Sequence, residues 1–203
     1  QAHYTERLYL MPGITTYFKP PIPPAPGLQG EDFGIDMDYF GDGTQPHLYL
    51  IPTALYKLHP LMDEAIKMVL EKDKRGLIVL VNSKRNGVNE LLRARFRRSM
   101  DPDITNRIVW INREPLNRYL AMLKLGDVLM LTFPSASGVT VMESLSVGTP
   151  FVVYEEMSLG MGMRIEKGFI RELGINASCC VAYTLDEYVD KLVRFGTDQR
   201  HRN

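Results

Sequence analysis

From His47 onward the sequence predicts an α/β domain with a doubly wound, Rossmann-like parallel sheet. Two observations carry that expectation. Short apolar runs recur at 48–51, 77–81, 108–111, 128–131, 151–153 and 179–181. Continuous apolarity over so few residues suits strands buried on both faces of a parallel sheet. Stretches of helical character alternate with these runs, at about 60–73, 87–98, 115–125, 139–147, 160–173 and 185–195. Strand and helix repeated in this order give a parallel sheet with helical crossovers.

The N-terminal part differs. Five of the thirteen prolines fall in Pro20-Pro21-Ile22-Pro23-Pro24-Ala25-Pro26-Gly27, a segment that lacks ladder donors and favours extended backbone. Before it, Arg7-Leu8-Tyr9-Leu10 reads as a short strand closing at Pro12-Gly13. Residues 1–45 are therefore read as an arm and Pro-rich linker, the remnant of a preceding lobe, and 46–203 as the Rossmann-like domain. A chain that opens at Gln1 rather than Met is expected to be part of a longer product.

Several elements have local reasons. Pro60 suits the first turn of the helix at 60–73, where a missing N–H costs nothing. Met161, Ile165, Phe169 and Leu173 recur every four residues and make one apolar helical face, with Gly174 placed as the C-terminal glycine. Gly148-Thr149-Pro150 reads as a helix stop before the next strand. Asp186 and Glu187 occupy the first turn of the last predicted helix, as its dipole prefers.

Composition narrows the function classes. The 203 residues carry 24 basic and 24 acidic side chains, which argues against a polybasic nucleic-acid or membrane-surface binder. No apolar run approaches the roughly 18–20 residues that span a bilayer, and no signal-peptide pattern opens the chain. The adjacent Cys179 and Cys180 do not suit a disulfide. Within Ala177-Ser178-Cys179-Cys180-Val181-Ala182-Tyr183 they read as small buried strand residues in a reducing compartment. The four histidines show no ligand spacing with them, so no metal site is expected.

In open parallel sheets, ligands bind beyond the carboxyl ends of the strands. After Leu131, the small-residue segment 132–140 opens a helix whose N-terminus suits an anion. Thr140 and Glu143, three residues apart, suit a diphosphate oxygen and a ribose diol. Equally, Thr140-x-x-Glu143 is a capping box, and local spacing alone favours the cap. After Ile51, Lys57 lies between strand and helix, where it serves a phosphate as a point charge or is a solvated lysine. His59 reads as a polar residue at a helix N-terminus. Gly160-Met161-Gly162 lacks the third glycine of a dinucleotide fingerprint and does not directly follow a strand, so NAD binding is rejected. The basic run Arg93-Ala94-Arg95-Phe96-Arg97-Arg98 reads as a solvated helix face.

The order of motifs is itself informative. His3-Tyr4-Thr5-Glu6-Arg7-Leu8, Met11-Pro12-Gly13 and Leu55-Tyr56-Lys57-Leu58-His59-Pro60 come first. Arg107-Ile108-Val109-Trp110, Phe133-Pro134, Ser137-Gly138-Val139-Thr140-Val141-Met142-Glu143-Ser144-Leu145 and Gly148-Thr149-Pro150 follow. The series resembles the C-terminal catalytic half of the O-linked N-acetylglucosamine transferase family, including its bacterial and SPINDLY-like members, through nearly the whole chain.

That resemblance implies the C-terminal lobe of a GT-B glycosyltransferase, the lobe that holds most of a nucleotide sugar. It implies a diphosphate-binding and catalytic role for Lys57, a phosphate contact for Thr140, and ribose binding by Glu143. It also implies donor contacts from Thr53, Ser137, Gly138 and Arg164, with the base beside Asn112 and Arg113. Family members usually have glutamine where Thr53 stands and a polar residue where Val139 stands. The expected substrate is UDP-N-acetylglucosamine, with no cofactor, and the expected acceptor is a protein Ser/Thr hydroxyl. An N-terminal catalytic lobe and helical repeats outside the chain are the expected partners, in the cytoplasm or nucleus. The expected chemistry is metal-independent and inverting, with this chain alone inactive. The alternative is a glycosyltransferase-like structural subunit of a larger assembly, and a sugar-nucleotide epimerase stands third.

Overall fold

The computed structural model describes Thr5, Arg7, Tyr9, Gly13, Ile14, Tyr17, Lys19 and residues 22–135, 137–155 and 165–202. The expected strand at 7–10 and the motifs at 3–8 and 11–13 lie in whole or in part outside those residues. So do Arg164, the 160–162 glycines and the start of the helix expected at 160–173.

Among the described residues, six parallel strands form the sheet: β1 (His47–Ile51), β2 (Gly76–Val81), β3 (Ile108–Ile111), β4 (Val128–Met130), β5 (Phe151–Tyr154) and β6 (Val181–Ala182). Their spatial order is β3-β2-β1-β4-β5-β6. Register fixes the alignment, with Tyr49 opposite Ile78 on one side and Val128 on the other. The strands are short apolar runs, mainly buried except in edge strand β3, where Val109 and Trp110 are half-buried, as expected for a parallel sheet covered on both faces. Between β1 and β4 the winding reverses, and it is at such a switch point that a crevice opens above the strand ends.

The crossovers are α1 (Leu61–Lys72), α2 (Val88–Ser99), the single turn α3 (Pro102–Thr105), α4 (Leu116–Leu125), α5 (Gly138–Ser146) and α6 (Ile165–Glu172). The turn α7 (Ala177–Cys180), α8 (Leu185–Thr197) and the turn α9 (Gln199–Arg202) complete the order. α8 packs against α1 and against β1, β4, β5 and β6, while α5 lies between α4 and α6. Among the described residues, no helix is long and apolar enough to cross a membrane.

Buried polar links fix the strands to these helices. Arg107 sends its guanidinium to the carbonyls of Leu70 and Asp73 at 2.6 and 2.9 Å, satisfying acceptors that the end of α1 leaves open. Asp73 in turn receives the Tyr49 hydroxyl at 2.7 Å, the Arg75 N–H at 2.9 Å and a His47 contact at 2.7 Å. Residues 22–46 pack on this domain: Phe33 and Ile35 enter its core, and the Ala25 N–H bonds the Asn117 carbonyl at 2.9 Å.

One strand expectation is corrected. Cys179 and Cys180 lie in α7, and β6 begins only at Val181. The Asn176 side chain accepts the Ser178 N–H at 3.0 Å, so a polar cap winds the chain into a helical turn before the strand starts. Cys180 is nevertheless buried, and burial pushes its thiol up to about 12. Both cysteines are free thiols. Leu173, expected on the apolar face, is largely exposed, while Phe169 and Ile170 take the core positions. Gly174 ends the helix at φ +66°, the left-handed conformation that glycine adopts without strain.

Candidate functional site

The strand carboxyl ends frame a cleft of about 490 Å³. Thr53, Tyr56, Asn82, Ser83, Lys84, Arg85, Arg113, Tyr119 and Glu143 are among its lining residues. The polar groups come from the loops after β1, β2 and β3 and from α4 and α5, so the topology gathers residues distant in sequence. The cleft lining includes three cationic residues, Lys84, Arg85 and Arg113, and two acidic ones, Glu114 and Glu143. Arg85 also lies over the Tyr56 ring at 5.4 Å, within reach of a cation–π attraction.

At the switch point itself, the loops after β1 and β4 meet. Thr53 Oγ1 and Ser137 Oγ are 3.1 Å apart and buried, forming one hydroxyl–hydroxyl bond across the crevice. Lys57 ends a short 3-10 turn, Leu55–Lys57, on the same loop. The turn bonds back to Ala54 through the Lys57 N–H at 2.9 Å, which fixes the backbone that carries the lysine. His59 accepts the Leu61 N–H at 3.3 Å, in keeping with the polar helix-start role expected of it.

The capping-box reading of Thr140 and Glu143 is corrected. α5 begins at Gly138, with Ser137 as its N-cap residue, so Thr140 is already the third helical residue. The Ser137 side chain makes no cap bond to this helix; its hydroxyl is engaged with Thr53 instead. The small residues Ser137 and Gly138 let the helix start earlier than the Thr-x-x-Glu spacing suggests. Thr140 and Glu143 share a face, and Tyr119 of α4 meets them there. The Tyr119 hydroxyl stands beside the Glu143 carboxyl and the Thr140 hydroxyl, close enough to affect the ionisation of Glu143. Burial raises Glu143 above the ordinary carboxylate range, with the Tyr119 bond acting against the rise. Burial likewise raises Tyr119 far enough to keep its proton on the oxygen.

The N-terminus of α5 has an occupant. The Ser137 N–H donates to Glu166 Oε1 at 2.5 Å. Glu166 belongs to α6 and is only 3% exposed. Burial raises its pKa, while the Ser137 bond and the positive charge of Lys57 oppose the rise. Lys57, Ser137 and Glu166 thus form one electrostatic group beside the crevice. Val139, the second helical residue, is 59% exposed and turns an apolar surface outward.

Of the residues expected at a site, Thr53, Arg113 and Glu143 line the cleft, and Ser137, Gly138, Thr140 and Lys57 adjoin it through these contacts. Asn112 stands next to Arg113 and receives a 3.4 Å bond from the Asn82 amide. Tyr119 and Glu166 were not foreseen. Glu166 had a legible signal: it precedes Phe169 and Ile170 by three and four residues, so an acid interrupts the buried helical face. Tyr119 had none, since its role depends on how α4 packs on α5. The basic run on α2 is only partly solvated: Arg95 bonds Asp63 at 2.7 Å, and Arg93 covers Trp110 at 4.1 Å. Among the described residues, no three His, Cys, Asp or Glu side chains converge as metal ligands.

Comparison with known proteins gives this geometry a context. No family model matches the sequence. Over 149 residues the chain is 32% identical to a UDP-N-acetylglucosamine--peptide N-acetylglucosaminyltransferase of Caenorhabditis elegans, covering 72% of this chain and 12% of that protein. Among solved structures, a mutant O-GlcNAc transferase of Thermobaculum terrenum superposes with a TM-score of 0.67 at 20% identity, over 77% of this chain and 30% of that one. An α,α-trehalose 6-phosphate synthase of Burkholderia multivorans superposes at 0.52 with 18% identity, over 77% and 37%. The chain therefore spans a minor part of each of these three proteins.

Proposed function

We propose that this chain, an O-GlcNAc transferase-like C-terminal lobe of the GT-B type, is the nucleotide-sugar-binding half of a transferase that moves N-acetylglucosamine from UDP to a protein Ser/Thr hydroxyl. One observation carries the reading. The crevice at the β1/β4 switch point brings Lys57, the α5 N-terminus, Thr140 and Glu143 to a single edge of the sheet, where parallel-sheet proteins hold nucleotides.

In this reading the donor diphosphate docks against the first turn of α5, whose leading N–H groups favour anions. Thr140 adds a hydroxyl donor. Glu143, aimed by Tyr119, accepts the ribose hydroxyls, and the base lies toward Arg113 and Asn112. Lys57 is the catalytic cation: as the glycosidic bond breaks, negative charge grows on the departing diphosphate, and a fixed ammonium and helix dipole stabilise it. This assigns leaving-group stabilisation to protein groups rather than to a metal ion, and inversion follows from direct attack by the acceptor. Handling of the acceptor proton falls to a partner lobe outside this chain, in an intracellular protein. The contact of Glu166 with the α5 N-terminus favours the second reading, a glycosyltransferase-like structural subunit with weak donor binding.

Calorimetric titration with UDP tests the proposal. Lys57→Ala removes a charge-assisted contact, at an expected cost of about 1.5–3 kcal/mol of binding. UDP binding that is absent, or indifferent to Lys57, would transfer support to the structural reading.

A further inference from the structure

Beside the crevice, Glu166 holds partners that a donor phosphate at the α5 N-terminus would also need. Its Oε1 takes the Ser137 N–H at the start of α5, and the positive charge of Lys57 acts on it. A diphosphate docked at the α5 N-terminus needs that donor and that cation. Glu155, which follows β5, adds a second negative charge toward Glu166 and also pairs with Lys167 at 3.1 Å. The carboxylate is 3% exposed, so a bulk-water shell does not screen it from an incoming anion.

We propose that Glu166 is a built-in competitor for the donor diphosphate: its carboxylate holds the Ser137 N–H and the field of Lys57 until a nucleoside diphosphate takes them over. The proposal rests on the donor-site reading above. It makes Glu166 a determinant of affinity, acting on the anionic part of the ligand and not on its base or ribose. Two like charges cannot share one helix end and one lysine without repulsion, so each bound diphosphate has to displace Glu166 or bind beside it at a loss.

The test is calorimetric titration of wild type, Glu166→Gln and Glu166→Ala with UDP, pyrophosphate and uridine, with circular dichroism to verify folding. Glu166→Gln keeps an amide oxygen for the Ser137 N–H and removes only the charge, so it remains informative if Glu166→Ala fails to fold. The expected result is UDP and pyrophosphate binding at least tenfold tighter in Glu166→Gln, with uridine unchanged. Equal or weaker UDP binding in a folded variant, when wild type binds UDP measurably, overturns the competitor role and leaves the donor site standing. Failure of wild type and both variants to bind UDP overturns the donor-site reading and the competitor role with it.

Discussion

Tyr119 on α4 and Glu143 on α5 stand side by side at the cleft, near enough for each to act on the other's proton. Two helices, α4 and α5, thereby pack together at the cleft with a half-buried acid between them. Tyr119→Phe removes the donor without changing ring volume. The expected effect is a loss of about 1–2 kcal/mol in UDP binding, from a misaimed carboxylate. Pyrophosphate, which has no ribose, should bind as before. A UDP affinity unchanged by Tyr119→Phe would show that the orientation of Glu143 does not matter to the ligand.

Glu143→Gln separates charge from shape at the same position. Burial raises the Glu143 pKa, so its ionised form is held at a cost that glutamine does not incur. The melting temperature should therefore stay level or rise. UDP affinity should fall by about 1.5–3 kcal/mol, the value of a bond to a charged acceptor. Parallel thermal scans and titrations check this, and a fall in stability with no change in binding would sink it.

The sheet was legible because parallel strands buried on both faces leave continuous apolar runs: 48–51, 77–81, 108–111 and 151–153 fall on β1, β2, β3 and β5. The run at 179–181 misled for the same reason. Small apolar residues fit a buried helical turn as well as a strand, and the Asn176 cap decided between them. At the site, the loop positions of Thr53, Lys57 and Ser137 followed from strand ends alone. The Thr140–Glu143 pair was legible as a shared face but not as to role, because a capping box and a mid-helix pair have identical spacing. Which one forms depends on where the helix starts, and that depends on Ser137 meeting Thr53 and Glu166 across the fold. Sequence periodicity holds no record of such contacts.

Arg107 is the principal polar tie between α1 and the sheet. Its guanidinium reaches carbonyls of Leu70, Asp73 and Gly76 from a buried position. Arg107→Met keeps most of the apolar stem and leaves these acceptors unsatisfied, at an expected cost of about 2–4 kcal/mol. Arg107→Lys should recover only part, since an ammonium lacks the planar fork. Urea unfolding of the three proteins gives the ranking, and equal midpoints for lysine and arginine would contradict the geometric argument.

Gly196 on α8 has a packing role. A Cβ at that position would run into the ring and hydroxyl of Tyr49, a fully buried residue of β1. Gly196→Ala should lower stability by about 1–3 kcal/mol through overpacking, despite the better helix propensity of alanine. Pairing it with Tyr49→Phe tests the mechanism. If the clash is with the hydroxyl, the double variant should lose less than the sum of the single variants, and strict additivity would refute a shared contact.

The acids of this fold divide by sign, and that division predicts opposite pH profiles. Burial raises Asp73, but the bonds from His47, Tyr49 and the Arg75 N–H outweigh it and leave the carboxyl below its ordinary value. A depressed folded pKa stabilises the protein above the unfolded value of about 3.9, and the contribution is lost as pH falls through the lower folded value. The stability gap between wild type and Asp73→Asn should therefore be constant near neutrality and close below about pH 4. Glu166 lies on the other side: burial raises it, and the Ser137 bond and Lys57 offset this only in part. Its ionised form weakens the fold above the raised pKa, and that penalty disappears as pH falls through it toward the unfolded value of about 4.3. Relative to Glu166→Gln, wild type should gain stability as the solution is acidified from neutrality. Chemical denaturation from pH 7 to pH 3 on the three proteins measures both slopes. Wild-type stability that moves with the same sign relative to both variants on acidification would contradict the assignment of one depressed and one raised carboxyl.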